Sequence, residues 1–300
     1  MAGQGAVLDF DHFVRQAWAE HAEAPLAVAR RIDELGFALL GGADDGAALA
    51  RLITHVYGEH LGQWLAGIER LDRLRAQPAG QAGAELQRSR AALELAAGLR
   101  REVGELSLSD QARAWCGAAS ALAAQGLIEA AMPCFDEALS LAQLGFEAGD
   151  PALRTLAVTS NNLACALESR PRLAAAERDA MLAAAGAARQ FWALAGGWLE
   201  AERAEYRLAR VQLRVGNTEQ ARWHTEECLA ICRENGADAY ECFFAQEVQA
   251  LVSAQAGDAA GLRAAVAEAQ SCHERLDAGQ QAETAAMLAA LRQLGEACTR

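Results

Sequence analysis

The stretch ARAWCGAASALAAQGLIEAAMPCFDEALSLA, from Ala112 to Ala142, restricts what this chain can fold into more than any other. Two apolar, alanine-rich runs flank Gly126. The first carries Ala118, Ala119 and Leu122, and the second Ala131, Phe135 and Ala138. Glycine lets a chain reverse direction, alanine lets two helices approach closely, and Trp115, Leu122 and Phe135 are large enough to fill the seam. A helical hairpin is the expectation. The rest of the chain is compatible with it: five prolines, 6% aromatic residues and abundant alanine favour helix nearly everywhere, because alanine loses no side-chain entropy there. Strand signals are nearly absent.

The hairpin pattern recurs. A second copy begins at TLAVTSNNLACALE, with Leu163, Ala164 and Leu167 in register, and is stretched by Pro171 and a long alanine-rich helix. A third runs from Glu202 through Leu208, Ala209, Gly216, Ala221 and Cys228. A fourth carries Ala250, Gly257 and Ala269. Upstream, Leu35, Gly36, Leu39 and Ala48 suggest a further pair, residues 60 to 105 an irregular one around AQPAGQAG, and 279 to 298 a terminal capping helix. Gly41-Gly42 and Gly196-Gly197 read as interhelical connections, and Asp44-Asp45 as acids at a helix start, where free N–H groups favour negative charge.

The 112–142 segment resembles the tetratricopeptide (TPR) repeat, whose pattern W-x2-L-G-x2-Y…G…A-x3-F…A is met by Trp115, Leu122, Gly126, Ala131, Phe135 and Ala138. Ala118 and Ala119 replace its Leu-Gly. The resemblance implies an all-α fold: a right-handed superhelical solenoid of antiparallel helix pairs, about six pairs plus a capping helix. It implies one repeat domain over 1–300, with irregular pairs over 1–106, the clearest repeats over 107–276 and the cap at 279–298. Such domains line a concave groove with the first helix of each pair and commonly bind extended peptides or partner helices. The implied function is therefore a protein- or peptide-binding scaffold or adaptor and not an enzyme. Self-association through the exposed edge of the array, as a homo-oligomer, is also open.

Arg203, Arg207, Arg210 and Arg214 follow a 4-3-4 spacing that places them in one stripe of a helix, opposite Leu208 and Ala209. On a TPR-like concave face, their guanidinium forks suit an acidic segment or a C-terminal carboxylate. Asn162 falls in the slot from which TPR domains bond a peptide backbone. Asn162, Arg203 and Arg207 also resemble part of the carboxylate clamp of TPR co-chaperones, although Cys116 and Ser120 stand where that clamp has lysine and asparagine. The run Asn161-Asn162-Leu163-Ala164 is equally similar to kinesin-light-chain repeats. An alternative for the same arginines is pairing with Glu168, Glu200, Glu202 or Glu205, which would make the stripe a solvated face. Glu205 and Gln212 sit where the repeat pattern calls for large buried residues.

A formal charge of −13 argues against nucleic acid or an anionic membrane as a partner, since both require a positive field. All 27 basic residues are arginine, a bias expected of a GC-rich bacterial genome. The N-terminal MAGQGAVLDFDHF has neither the basic flank nor the apolar core of a signal peptide, so a cytoplasmic location is expected. Eight cysteines without a CxxC argue against a disulfide framework.

Metal chemistry has one candidate set in the sequence. His224, Cys228 and Cys232 recur every fourth residue, with Cys242 close by, and form a Cys/His cluster whose alternative reading is a metal-linked repeat protein. Against it, Cys228 and Cys232 align with Ala221 and Thr225 on the face expected to pack inside the repeat, and zinc motifs pair cysteines on turns. No metal or other cofactor is expected. His55 and His60 stand five residues apart, about 140° around an α-helix, and are expected to face different ways. His12, His21 and His273 carry no pattern. Neither a Ser-His-Asp grouping, a phosphate-binding glycine loop nor a GxSxG elbow is present, and no catalytic residue is assigned. An accessory subunit of an enzyme or regulatory system is the remaining alternative.

Overall fold

The structure is a computed structural model that describes residues 9–81 and 83–297. Among these residues there are 14 α-helices and no strand, and sequence-adjacent helices pack as neighbours. The chain forms two compact units, Met1–Thr159 and Ser160–Arg300, and the division falls inside a helix. A boundary of that kind leaves no proline- or glycine-rich linker to mark it in the sequence.

The first unit contains α1 (Phe10–Glu20), α2 (Pro25–Arg31), α3 (Ala43–Ile53), α4 (Trp64–Arg75), α5 (Gly83–Ala96), α6 (Leu108–Ala124) and α7 (Ile128–Ala142), and the start of α8 (Pro151–Glu168). An apolar core in it is built by Phe10, Phe13, Val28, Ile32, Leu49, Leu52, Ile53, Tyr57, Leu71, Leu74 and Leu93, all buried. Each large apolar side chain removed from water in this core contributes about 1.5–3 kcal/mol. In the region where a pair was expected around Leu35, Gly36, Leu39 and Ala48, Gly36 lies close to Phe13 and Leu49, and α3 packs against α1. The irregular pair is α4 and α5, and Pro78–Gln81 between them is a 3-10 turn.

Two helices of this unit end in wider, π-helical turns: Ile32–Gly36 continues α2 and Thr54–His60 continues α3. The second corrects the sequence reading. On an α-helix His55 and His60 diverge, but a π-turn bonds residue i to i+5 and brings residues five apart back to one side. The Leu61 amide donates to the Val56 carbonyl at 3.0 Å, and the Nε2 atoms of His55 and His60 lie 3.1 Å apart. Side chains from outside take up carbonyls that the widened turn frees. The Trp64 indole donates to the Gly58 oxygen at 3.1 Å and the Gln125 amide to the Glu59 oxygen at 2.5 Å. At Gly58 an added Cβ would stand 2.9 Å from a Leu93 methyl, which would have to shift.

The second unit contains the end of α8, then α9 (Ala175–Ala195), α10 (Trp198–Arg214), α11 (Thr218–Asn235), α12 (Ala239–Gln255), α13 (Ala259–Glu274) and α14 (Ala278–Ala297). Alternate helices also touch: α10 meets α12, and α12 meets α14. Hairpins α6–α7, α10–α11 and α12–α13 share one three-residue connection whose central residue is Gly126, Gly216 or Gly257, at φ +74°, +85° and +72°. Only glycine enters that left-handed region without strain. In each, the residue after the glycine donates back to a carbonyl five positions earlier: Leu127 to Leu122, Asn217 to Gln212 and Asp258 to Ser253. The small residues that mark the repeats, Ala118, Ala119, Ala131 and Ala138, then Ala209, Ala221 and Cys228, then Ala250 and Ala269, are all buried. No helix among the described residues is long and apolar enough to cross a membrane.

Candidate functional site

Helix α10 carries the arginine ladder, and its other face shows why the stripe points outward. Leu208 and Ala209 are buried, as are Glu202, Ala204, Glu205 and Val211, so the helix is anchored on that side. The four arginines meet different neighbours. Arg203 makes a bidentate contact with Glu241 of α12, its Nε donating to Oε2 at 3.1 Å, and yet its side chain stays 55% exposed. Arg207 pairs with Glu168 of α8. Arg210 donates to Glu168 at 2.8 Å, to Glu247 of α12 at 3.1 Å and to the Tyr206 hydroxyl at 3.0 Å. Arg214 donates to the backbone oxygens of Arg170 and Pro171 at 2.7 and 3.0 Å.

The ladder is thus tied to acids on both flanking helices. Glu168, Glu241 and Glu247 are nearly buried, and a buried carboxylate needs a cation. Burial works against the charge on Arg210, but Tyr206, Glu247 and Glu168 together hold it firmly protonated. Burial pushes the Glu247 carboxyl up, with Arg210 opposing, and likewise pushes up the Tyr206 hydroxyl beside Glu247. Arg203 and Arg214 are the exposed ladder members, and of the two Arg203 is the one held by a carboxylate.

Beside Arg203 lies a pocket of about 260 Å³ lined by Asn161 of α8, by Glu202, Arg203, Tyr206 and Arg207 of α10, and by Tyr240, Glu241 and Phe244 of α12. Three aromatic rings and two guanidinium groups supply apolar area and charge together. Asn161 lines it; Asn162, the neighbour singled out by the repeat pattern, is exposed. Tyr206, Tyr240 and Phe244 were not singled out in the sequence. Their signal was available, since each sits within a turn of a ladder position or of the acid that pairs with it.

At the edge of this pocket Glu202 is 1% exposed. Its Oε1 accepts from the thiols of Cys228 and Cys232 at 3.0 and 3.7 Å, while Oε2 is buried without a donor. Burial, reinforced by the neighbouring Glu241, raises its pKa to about 7. A proton on Glu202 supplies the donor that two adjacent carboxyls lack.

The residues of the alternative Cys/His set take other partners. Ala221, Thr225, Cys228 and Cys232 are all buried in the α10–α11 seam. His224 bonds Glu205 through Nδ1 at 2.6 Å, and the Cys242 thiol donates to the Ala237 oxygen at 3.6 Å. Neighbouring thiol Cys232 and burial push the Cys228 thiol far up, and burial raises Cys242 to about 11, disfavouring the thiolates a metal needs. Glu205 occupies its repeat position as a buried acid held by His224 and Arg189. Burial raises its carboxyl, and those hydrogen bonds outweigh it, for a net lowering. Cys298 lies outside the described residues. No family model matches the chain, and no curated protein matches it at a significant level.

Proposed function

We propose that the second unit is a peptide-binding module of the TPR kind, part of a cytoplasmic bacterial scaffold or adaptor whose helix pairs continue as a right-handed solenoid. The observation that carries this reading is the make-up of the pocket. It is lined by α8, α10 and α12, the first helices of three successive hairpins, which are the elements that face the groove in TPR domains. Arg203 presents a guanidinium at its mouth, and Tyr206, Tyr240 and Phe244 offer the rigid aromatic surface on which binding energy concentrates. An acidic segment or a C-terminal carboxylate fits that chemistry, provided it competes with Glu241 for Arg203.

Competition makes the reading testable. Affinity capture from a bacterial lysate compares wild type, an Arg203→Ala/Arg207→Ala double variant and Glu241→Gln. The double variant is expected to lose the acidic partners of wild type, and Glu241→Gln, which releases Arg203 from its internal partner, to hold them more tightly in low salt. Identical partner sets with equal salt sensitivity in all three would assign the ladder to internal packing alone.

A further inference from the structure

Three histidines from distant positions meet in the first unit. His21 caps the C-terminus of α1, and His55 and His60 lie on the π-turn that ends α3. Their ring centroids are 4.8–4.9 Å apart pairwise, and one ring nitrogen from each lies within 4.8 Å of the other two. Among the described residues they are the sole trio of histidine, cysteine or acidic side chains so gathered. Trp18 packs against the rings of His21 and His55, at 5.2 and 5.1 Å, and shields one side.

Hydrogen bonds fix which nitrogens face inward. His21 Nδ1 is 2.6 Å from the Trp18 carbonyl oxygen, which can only accept, so Nδ1 carries the proton and Nε2 keeps its lone pair. His55 Nδ1 is 2.9 Å from a Glu59 carboxylate oxygen, which orients that ring the same way. A carboxylate or carbonyl behind Nδ1, with Nε2 in front, is the arrangement that supports imidazole as a metal ligand. His55 Nε2 and His60 Nε2 stand 3.1 Å apart. Zn–N bonds of about 2.0–2.1 Å place the nitrogens of a tetrahedral site about 3.3 Å apart, so this pair already spans one edge. His21 brings its ring nitrogen within 4.8 Å of both.

We propose that His21, His55 and His60 form a three-histidine site for a divalent late transition ion of the zinc type, with Glu59 orienting His55 and a fourth position left to water or a ligand. All-nitrogen coordination suits Zn2+, Cu2+ and Ni2+ and not Mg2+ or Ca2+, which take oxygen. A π-turn lengthens a helix by one residue at a cost in backbone packing and is frequent at functional sites. Here it is what carries His60 round to His55. Nothing in this site depends on the peptide-binding reading.

The test uses the untagged full chain, stripped with EDTA and titrated with Co2+, whose tetrahedral complexes absorb strongly in the visible, with Zn2+ as competitor. One equivalent of Co2+ is expected to saturate the bands, Zn2+ to abolish them, and Zn2+ to raise the thermal midpoint. His55→Asn and His60→Asn should lose the bands, and Glu59→Gln should weaken binding about 10–100-fold. The exposed His12→Asn should behave as wild type, and circular dichroism establishes that each variant retains its helices. Absence of saturable bands in wild type, or bands that survive in folded His55→Asn or His60→Asn, would overturn the site.

Discussion

A single buried acid illustrates how much chemistry one side chain can hold in a helical scaffold. Glu202 has its folded pKa raised to about 7 from an ordinary 4.5, because burial and Glu241 both disfavour its charge. Below pH 4.5 it is protonated in the folded and the unfolded chain, and the contact is at full strength. As the pH rises from 4.5 to about 7 the unfolded chain ionises first, and stability is lost progressively, up to about 3 kcal/mol. Glu202→Gln keeps the shape and removes the titration. Urea denaturation should therefore show Glu202→Gln gaining on wild type between pH 5 and pH 8; a constant difference across that window would mean that Glu202 does not titrate there. The same residue shows why sequence reading is blind at this scale. An acid at position 202 looks like a solvent-facing helix residue until the positions of Cys228, Cys232 and Glu241 are known.

Helix pairs are a different matter, because their turns carry local requirements that a sequence states openly. Gly126, Gly216 and Gly257 hold φ between +72° and +85° with nothing within 4 Å of a would-be Cβ. Alanine there meets conformational strain and no clash, so each Gly→Ala change should cost about 1–2 kcal/mol in chemical denaturation. Gly104, also in open space but without a positive φ, serves as the control and should lose far less. The α6–α7, α10–α11 and α12–α13 hairpins were legible for this reason. The π-turn at Thr54–His60 was not. Its residues, THVYGEH, fit an α-helix as well, and the carbonyls of the wider turn are met by Trp64 and Gln125, contacts that only the folded unit supplies. The arginine stripe was legible as a stripe. Glu168 was among the acids the sequence offered as partners, and Arg207 and Arg210 take it; that α12 would add Glu241 and Glu247 required knowing which helices flank the stripe.

Across the whole chain, 40 acidic residues outnumber 27 arginines, yet in the second unit the arginines sit where buried acids most need them. Glu168 on α8, Arg207 and Arg210 on α10 and Glu247 on α12 form one continuous network across three helices. Hairpins of this kind gain most of their stability from nearest neighbours, so a defect in one interface should weaken its own unit and leave distant helices intact. Removing Glu168 strips a partner from both Arg207 and Arg210. An unpaired buried charge costs about 3–5 kcal/mol, and the partial exposure of these arginines, 21% and 30%, brings this down to about 1–3 kcal/mol. In hydrogen–deuterium exchange, Glu168→Gln should speed the slowest amides of α10 and α12 by about 10- to 100-fold, at 1.4 kcal/mol per tenfold. Helices α1 to α5, which belong to the other unit, should exchange at wild-type rates. Uniform acceleration from α1 to α14 would mean instead that the chain opens as one cooperative body, and that the two units share a single folding transition.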